Sequence, residues 1–297
     1  MYPAKFDYVR AESLSQALEL LAEHGGEARP LAGGMSLIPL MKLRLAQPRW
    51  IVDIGRLPDM SSIARANGAI TLGAMVRHAQ ALESPILQEY LPIVTDAIET
   101  IGDVQVRNWG TAGGALAQAD PSGDWGPLLL ALNGRVRCQN VSGQRWVDAQ
   151  DLFINAFTTS LKPDELITEI ELPIPDPKAG GVYLKLGPRT GAYSTVTVAI
   201  QLSLDESGIC RHVGIAMGAA GLTPIKARQA EALLQGQSLT QELLEDAAEA
   251  VQQVADPISD TRGTAEYKRD MLRVLFNRGV DMAVRRNRGE AVEAGHV

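Results

Sequence analysis

Two cysteines in 297 residues set the first limit. An iron–sulfur cluster normally takes four cysteine thiolates, so this chain cannot hold one alone. Cys138 and Cys210 lie far apart in strand-like surroundings and read as small buried residues, neither a disulfide framework nor a ligand pair. Histidine is equally thin. His24, His78, His212 and His296 stand alone, without the close histidine or carboxylate spacing of a zinc site. Basic residues are scattered except for Arg285, Arg286 and Arg288, and the net charge is −7, so no basic face offers itself to nucleic acid. The terminal arginines suit the negative end of a last helix. No stretch approaches about 20 uninterrupted apolar residues, and no charged N-terminal segment leads into an apolar one. A cytoplasmic protein without a membrane span is expected.

What is present is enough apolar material for real cores, 45% of residues, in a chain long enough for two domains of about 150 residues each. Glycine is placed in two boxes. One is Arg29-Pro30-Leu31-Ala32-Gly33-Gly34-Met35-Ser36-Leu37, and the other is Asn108-Trp109-Gly110-Thr111-Ala112-Gly113-Gly114-Ala115, which runs on through Asp120 and Asp124 into an apolar segment. An isolated Gly-Gly is more often a tight turn. Without a Cβ, however, successive backbone N–H groups can turn toward one point and cradle an anion. Thr111 adds a hydroxyl, and the apolar run from Ala115 reads as a helix whose positive end would lie beside the loop. Two boxes suit the two phosphates of one dinucleotide.

Along the chain, Ser13 and Gln16 have capping-box spacing ahead of Leu14, Ala17, Leu18 and Leu21, and Gly25-Gly26 stops that helix. A strand at 30–32, a helix over 37–45 capped by Ser36, and a strand at 50–54 complete a β-α-β-α-β opening. The turn Asn67-Gly68 between 62–66 and 69–72 predicts a hairpin. Helices follow at about 76–82 and 91–101, then strands at 135–138, 145–147 and 166–172. The segment Pro173 to Pro177 is the best linker. Beyond it a hairpin (195–204 with 209–217) precedes helices at about 226–234, 240–254 and 264–284, an α+β order.

Ala32-Gly33-Gly34-Met35-Ser36-Leu37 followed by Thr111-Ala112-Gly113-Gly114 resembles the flavoprotein, or medium, subunit of the molybdenum hydroxylases, which include carbon monoxide dehydrogenase, xanthine dehydrogenases and N-heterocycle hydroxylases. Phe6-Asp7-Tyr8, Pro39 to Lys42, Val52-Asp53-Ile54, Ala119-Asp120-Pro121 and Ile170 to Pro173 fit as well, so the resemblance covers nearly the whole chain. It implies an α+β fold: an FAD-binding domain over 1–177 in two subdomains (about 1–55 and 56–177), a smaller C-terminal α+β domain over 178–290, and a flexible tail at 291–297. It also implies that both boxes wrap the FAD pyrophosphate. Arg29, Leu31 and Ala32 to Ser36 inherit that role from the first box, and Thr111, Ala112, Gly113, Gly114 and Ala115 from the second. Asp124 matches a residue on the adenosine side, Ile167 one lining the nucleotide pocket, Ile101 one packed on the flavin ring, Lys185 a basic residue near it, and Tyr193 an aromatic beside the isoalloxazine.

By residue type alone, Asp124 would be a helix cap, Asp120 a turn former, Lys185 a solvated strand charge and Tyr193 a cover for a sheet end. Three positions depart from the family pattern: Ala115 stands where asparagine is usual, Met35 where a polar residue is, and Ala112 where a branched apolar one is. The function implied is an FAD-carrying electron-transfer subunit that takes electrons from an iron–sulfur partner and passes them to an external acceptor. The molybdenum cofactor and [2Fe-2S] clusters belong to large and small partner subunits, in a dimer of heterotrimers. A stand-alone flavin oxidoreductase and a non-redox nucleotide-binding scaffold are the alternatives.

Overall fold

The computed structural model describes residues 2–296. The chain opens with β1 (Asp7–Arg10), α1 (Leu14–His24), β2 (Ala28–Leu31), α2 (Leu37–Lys42) and β3 (Trp50–Asp53). The three strands form a parallel sheet in the order β1-β3-β2, the geometry that helical crossovers impose. Ser13 caps α1 by accepting the Gln16 N–H, and the Gln16 side chain reaches back to the Glu12 N–H. Ala17, Leu18 and Leu21 are the buried face of α1. The helix expected to reach residue 45 stops at Lys42. Arg44 has φ of 59°, which α-helix excludes, and the Leu45 N–H turns back to the Leu40 carbonyl. Ser36 holds the cap position of α2 without a side-chain cap bond.

A second unit begins with the expected hairpin, β4 (Ile63–Ala66) and β5 (Ala69–Gly73), whose turn residues Asn67 and Gly68 have φ of 52° and 77°. Short helices follow: α3 (His78–Leu82), α4 (Pro85–Tyr90), α5 (Pro92–Glu99), α6 (Val104–Trp109), α7 (Ala112–Gln118) and α8 (Trp125–Ala131). The helix expected over 91–101 is α5 alone. It starts with Pro92 because proline's missing N–H costs nothing in a first turn. Next come β6 (Arg135–Asn140), β7 (Gly143–Asp148), α9 (Ala149–Leu152), the small pair β8 (Phe153–Asn155) and β9 (Thr158–Thr159), and β10 (Leu166–Pro173). The main strands make an antiparallel sheet ordered β4-β5-β10-β6-β7.

The C-terminal unit is β11 (Gly180–Leu186), β12 (Val196–Leu204), β13 (Cys210–Gly218), β14 (Ile225–Lys226), α10 (Arg228–Leu234), α11 (Gln241–Val254), α12 (Ala265–Asn287) and β15 (Gly295–His296). Its sheet, β14-β13-β12-β11-β15, is covered by α12 and packs on α5 and α8 of the preceding unit. The approach is close: a methyl group at Gly214 would lie 2.0 Å from the Ala131 carbonyl oxygen. Tyr183, Ala199 and Ala216 join the core of the first 177 residues, while Val182, Val198 and Ile215 face a second core under α12.

The segment expected to be a flexible tail makes contacts to the rest of the chain. Gly295 and His296 pair in parallel with Leu184 and Lys185. Arg286 donates to the Val292 carbonyl and forms a two-pronged ion pair with Asp96 at 2.6 and 3.0 Å. A guanidinium fork on a carboxylate is a geometry with a defined direction, and sequence separation hides it: the partners are 190 residues apart. Val297 lies outside the described residues.

Candidate cofactor site

The two glycine loops meet. β2 delivers the first loop, Ala32 to Ser36, to the end of the parallel sheet, and α6 delivers the second. A methyl group at Gly33 would fall 1.9 Å from the Trp109 carbonyl oxygen and 3.0 Å from the Gly110 Cα, so nothing larger than glycine permits this approach. Gly34 has φ of 74°, a left-handed conformation that glycine adopts without strain. Among the described residues, the N–H groups of Gly33, Gly34, Met35 and Ser36 donate to no backbone or side-chain oxygen. Four successive undonated N–H groups around a glycine pair fit a pyrophosphate.

The second loop differs from its expected form. Its helix begins at Ala112, not Ala115, with Thr111 as the cap, accepting the Gly114 N–H at 3.2 Å. The Ala112 N–H donates to the Val76 carbonyl, the Gly113 N–H to Ala74, and the Ala115 N–H to Thr111. Gly113 and Gly114 therefore have no free N–H for a phosphate, contrary to the expectation that both boxes offer backbone donors. Their value is shape. A methyl at Gly113 would lie 2.5 Å from the Ala74 Cβ, and one at Gly114 would lie 2.6 Å from the Thr111 Oγ1 and 3.6 Å from the Ala32 Cβ. The Thr111 N–H, which donates to no oxygen among the described residues, and the Thr111 hydroxyl hydrogen are the donors this loop retains.

Asp124 and Lys185 meet each other, and neither fits its reading by residue type. Asp124 precedes α8 without making a cap bond. Its carboxylate accepts from Lys185 Nζ at 3.0 Å and from the Tyr183 hydroxyl at 2.7 Å. Lys185, read as a solvated charge, is 2% exposed and donates also to the Thr100 carbonyl at 3.2 Å. Burial, then the Asp124 charge, pushes the Tyr183 hydroxyl well above its ordinary pKa, so it stays a donor. This cluster clamps β11 of the C-terminal unit to α5 and α8.

Tyr193 is 54% exposed in the loop between β11 and β12, and the Arg262 guanidinium lies over its ring, 5.8 Å from the centroid. Burial and the nearby Asp120 raise its hydroxyl pKa. The same loop touches the turn holding Ile101: a methyl at Gly191 would lie 2.4 Å from the Gly102 carbonyl oxygen, and Arg107 holds the Ile101 carbonyl at 3.0 Å. Tyr193 and Ile101 thus belong to one neighbourhood. Ile167 sits on β10 opposite Cys138, 5% exposed in the core. Arg29 lies exposed on β2 with Nη1 on the Ala28 carbonyl, and Leu31 packs beside Gly34. Sequence reasoning missed His78 and Tyr183, which sit beneath the second loop and beside Asp124. Neither carries a sequence signal that separates it from ordinary core.

Residues 4–175 match the family described as the FAD binding domain in molybdopterin dehydrogenase, and residues 182–283 match the CO dehydrogenase flavoprotein C-terminal domain. The chain is 40% identical to the glyceraldehyde dehydrogenase medium chain of Sulfolobus acidocaldarius, over 93% of this chain and 97% of that protein. It is 35% identical to the 6-hydroxypseudooxynicotine dehydrogenase complex subunit alpha of Paenarthrobacter nicotinovorans, over 97% of each. Carbon monoxide dehydrogenase from Hydrogenophaga pseudoflava superposes with a TM-score of 0.94 at 35% identity, covering 96% of this chain and 99% of that one.

The fold is that of an FAD-binding flavoprotein of the molybdopterin dehydrogenase class. Within that class the chain belongs to the medium subunits of the molybdenum hydroxylases, electron-transfer components that work beside a large molybdenum subunit and a small iron–sulfur subunit. The described residues contain no group of three or more metal-ligating side chains and no helix long and apolar enough to cross a membrane.

Proposed function

We propose that the FAD pyrophosphate lies where Ala32 to Ser36 faces Thr111 to Ala115, that Ile101 and Tyr193 flank the isoalloxazine, and that electrons enter from an iron–sulfur subunit and leave to an external acceptor. The observation carrying this reading is the contact of Gly33 with Trp109 and Gly110 beside four undonated N–H groups. The bound FAD supplies electron transfer between donor and acceptor. The chain's own contribution is placement. The first loop neutralises phosphate charge with N–H dipoles, Thr111 adds a hydroxyl, and Leu31 and Ala32 close the apolar side. The Asp124–Lys185 pair holds the C-terminal domain over the site instead of touching phosphate.

On this reading residues 1–177 carry the cofactor, residues 178–290 close over it, and the complex is a cytoplasmic dimer of heterotrimers. The free, buried thiols of Cys138 and Cys210 suit a compartment that keeps cysteines reduced. Loaded with FAD and purified away from its partners, the chain is expected to oxidise no aldehyde, carbon monoxide or N-heterocycle. Adding the molybdenum and iron–sulfur subunits restores turnover. Substrate-dependent flavin reduction by the isolated chain would overturn the reading in favour of a stand-alone oxidoreductase, and a colourless protein that binds no FAD would favour a scaffold.

A further inference from the structure

We propose that His78 is a positioning residue for the FAD cradle, holding the Gly110–Thr111 backbone against the first glycine loop. The inference rests on the cradle assignment above and adds a residue that touches neither phosphate nor flavin.

The imidazole is the lowest layer of a stack. A methyl group at Gly110 would lie 2.7 Å from both His78 Cδ2 and Nε2, so the Gly110 backbone rests on the ring edge. The Gly110 Cα in turn lies 3.0 Å from a methyl built on Gly33, next to the still closer Trp109 carbonyl. Imidazole, Gly110 and Gly33 thus follow one another, and the spacing between the two loops depends on the first of them. The backbone makes the same connection: the His78 N–H donates to the Gly110 carbonyl at 3.0 Å, and Arg77 bridges Thr111.

The other side of the ring is fixed as well. Trp125 Nε1–H donates to His78 Nδ1 at 3.2 Å, which leaves the ring hydrogen on Nε2. Burial, aided by the Arg107 charge, lowers the His78 pKa to about 4, so the ring is neutral in ordinary buffer and keeps the lone pair that Trp125 needs. Trp125 is the first residue of α8, directly after Asp124, whose carboxylate holds Lys185 and Tyr183. One ring therefore connects the second loop to the helix on which the C-terminal domain rests. A core histidine that merely filled space would not need this orientation, and an apolar residue of similar size would replace it.

The test compares His78→Leu, which keeps bulk, with His78→Asn, whose amide oxygen can take the place of Nδ1, and with Trp125→Phe, which removes the donor. FAD affinity of the full chain is measured by flavin fluorescence titration, alongside the melting temperature of the FAD-free protein and the indole N–H resonance of Trp125. His78→Leu is expected to weaken FAD binding about tenfold or more, the upper range of one lost hydrogen bond. His78→Asn should stay within about threefold and keep the shifted indole resonance, while Trp125→Phe should fall between them. If His78→Leu does not fold, the Asn and Phe variants decide. Asn losing as much affinity as Leu, or Phe losing none, would overturn the proposal. Gly33→Val runs in the same assay. A Gly33→Val protein with wild-type affinity would mean that the cradle itself is misassigned, whereas an impaired Gly33→Val beside an unimpaired His78→Leu would remove the role of His78 alone.

Discussion

The loop at Ala32–Ser36 leaves the N–H groups of Gly33 to Ser36 undonated, whereas the loop at Thr111–Ala115 uses each N–H from Ala112 onward inside the protein. Similar composition therefore serves two physical tasks. In the first loop glycine supplies a left-handed turn and a run of free donors, an anion nest. In the second it removes side chains where the chain must lie on Ala74, Thr111 and Ala32. On the proposed reading one loop binds the pyrophosphate, and the other sets the distance at which it binds. A glycine pair in a sequence signals an absent Cβ, and only the backbone partners decide which use is made of it.

The comparison breaks most easily where the second loop's platform meets the C-terminal domain. Lys185→Met leaves the Asp124 carboxylate buried without its cation, and removing one member of a buried pair typically costs about 3–5 kcal/mol. Denaturant unfolding of the FAD-free chain should show that loss, and the double variant Lys185→Met with Asp124→Asn should recover part of it. An unchanged unfolding midpoint in Lys185→Met would mean that the pair does not hold the domains together.

Gly33→Ala addresses the first loop directly. Its methyl would stand 1.9 Å from the Trp109 carbonyl oxygen, a backbone atom that cannot rotate away, so the loops must separate. Overpacking of this kind costs about 1–3 kcal/mol, and FAD occupancy, read from the flavin-to-protein absorbance ratio, should be largely lost. Gly114→Ala meets only the Thr111 hydroxyl at short range and should lose less. Equal occupancy in the two variants would erase the distinction between the loops.

Much of this was readable in advance, for reasons that individual residues make clear. Ser13 with Gln16, the turn at Asn67-Gly68 and the alternation along 166–172 are local signals, and local chemistry produced the expected elements. The boxes, too, are visible, because each Gly-Gly pair stands between a short apolar run and a helix-like segment. What could not be read was partnership. Lys185 has the sequence context of a solvated strand residue, and its burial depends on Asp124, 61 positions away. Arg286 looked like a helix-end charge and instead ties Asp96 to the tail. α7 starts three residues before Ala115, where the apolar periodicity begins, because the cap that determines the start is Thr111, inside the glycine box.

Acid sharpens the comparison by acting on the second loop through His78. With a folded pKa of about 4 against 6.5 for the free side chain, the unfolded chain takes up a proton that the folded chain refuses as pH falls through that window. The site's contribution is therefore complete above 6.5 and declines by about 1.4 kcal/mol per pH unit down to about 4. Carboxylates titrate over part of the same range, so the measurement is the difference between wild type and His78→Asn. Parallel stability curves for the two would show that His78 is not held neutral.

The smallest effect is the most discriminating, because Thr111 has two tasks that separate experimentally. Its Oγ1 accepts the Gly114 N–H, and removing such a cap costs about 1 kcal/mol of helix stability. That loss appears with or without FAD. The same hydroxyl still has a hydrogen to donate, and beside the undonated Thr111 N–H it is the side-chain donor this loop offers a phosphate oxygen on the proposed reading. Thr111→Val, nearly the same shape, should therefore lower the stability of the FAD-free chain by about 1 kcal/mol and weaken FAD binding by up to about tenfold besides. Thr111→Ser restores the cap and the donor together. If Thr111→Val destabilises the chain yet binds FAD as wild type does, the second loop acts on the cofactor through geometry alone. If affinity falls while stability holds, the hydroxyl belongs to the phosphate site, and the two loops are more alike than their backbone hydrogen bonds indicate.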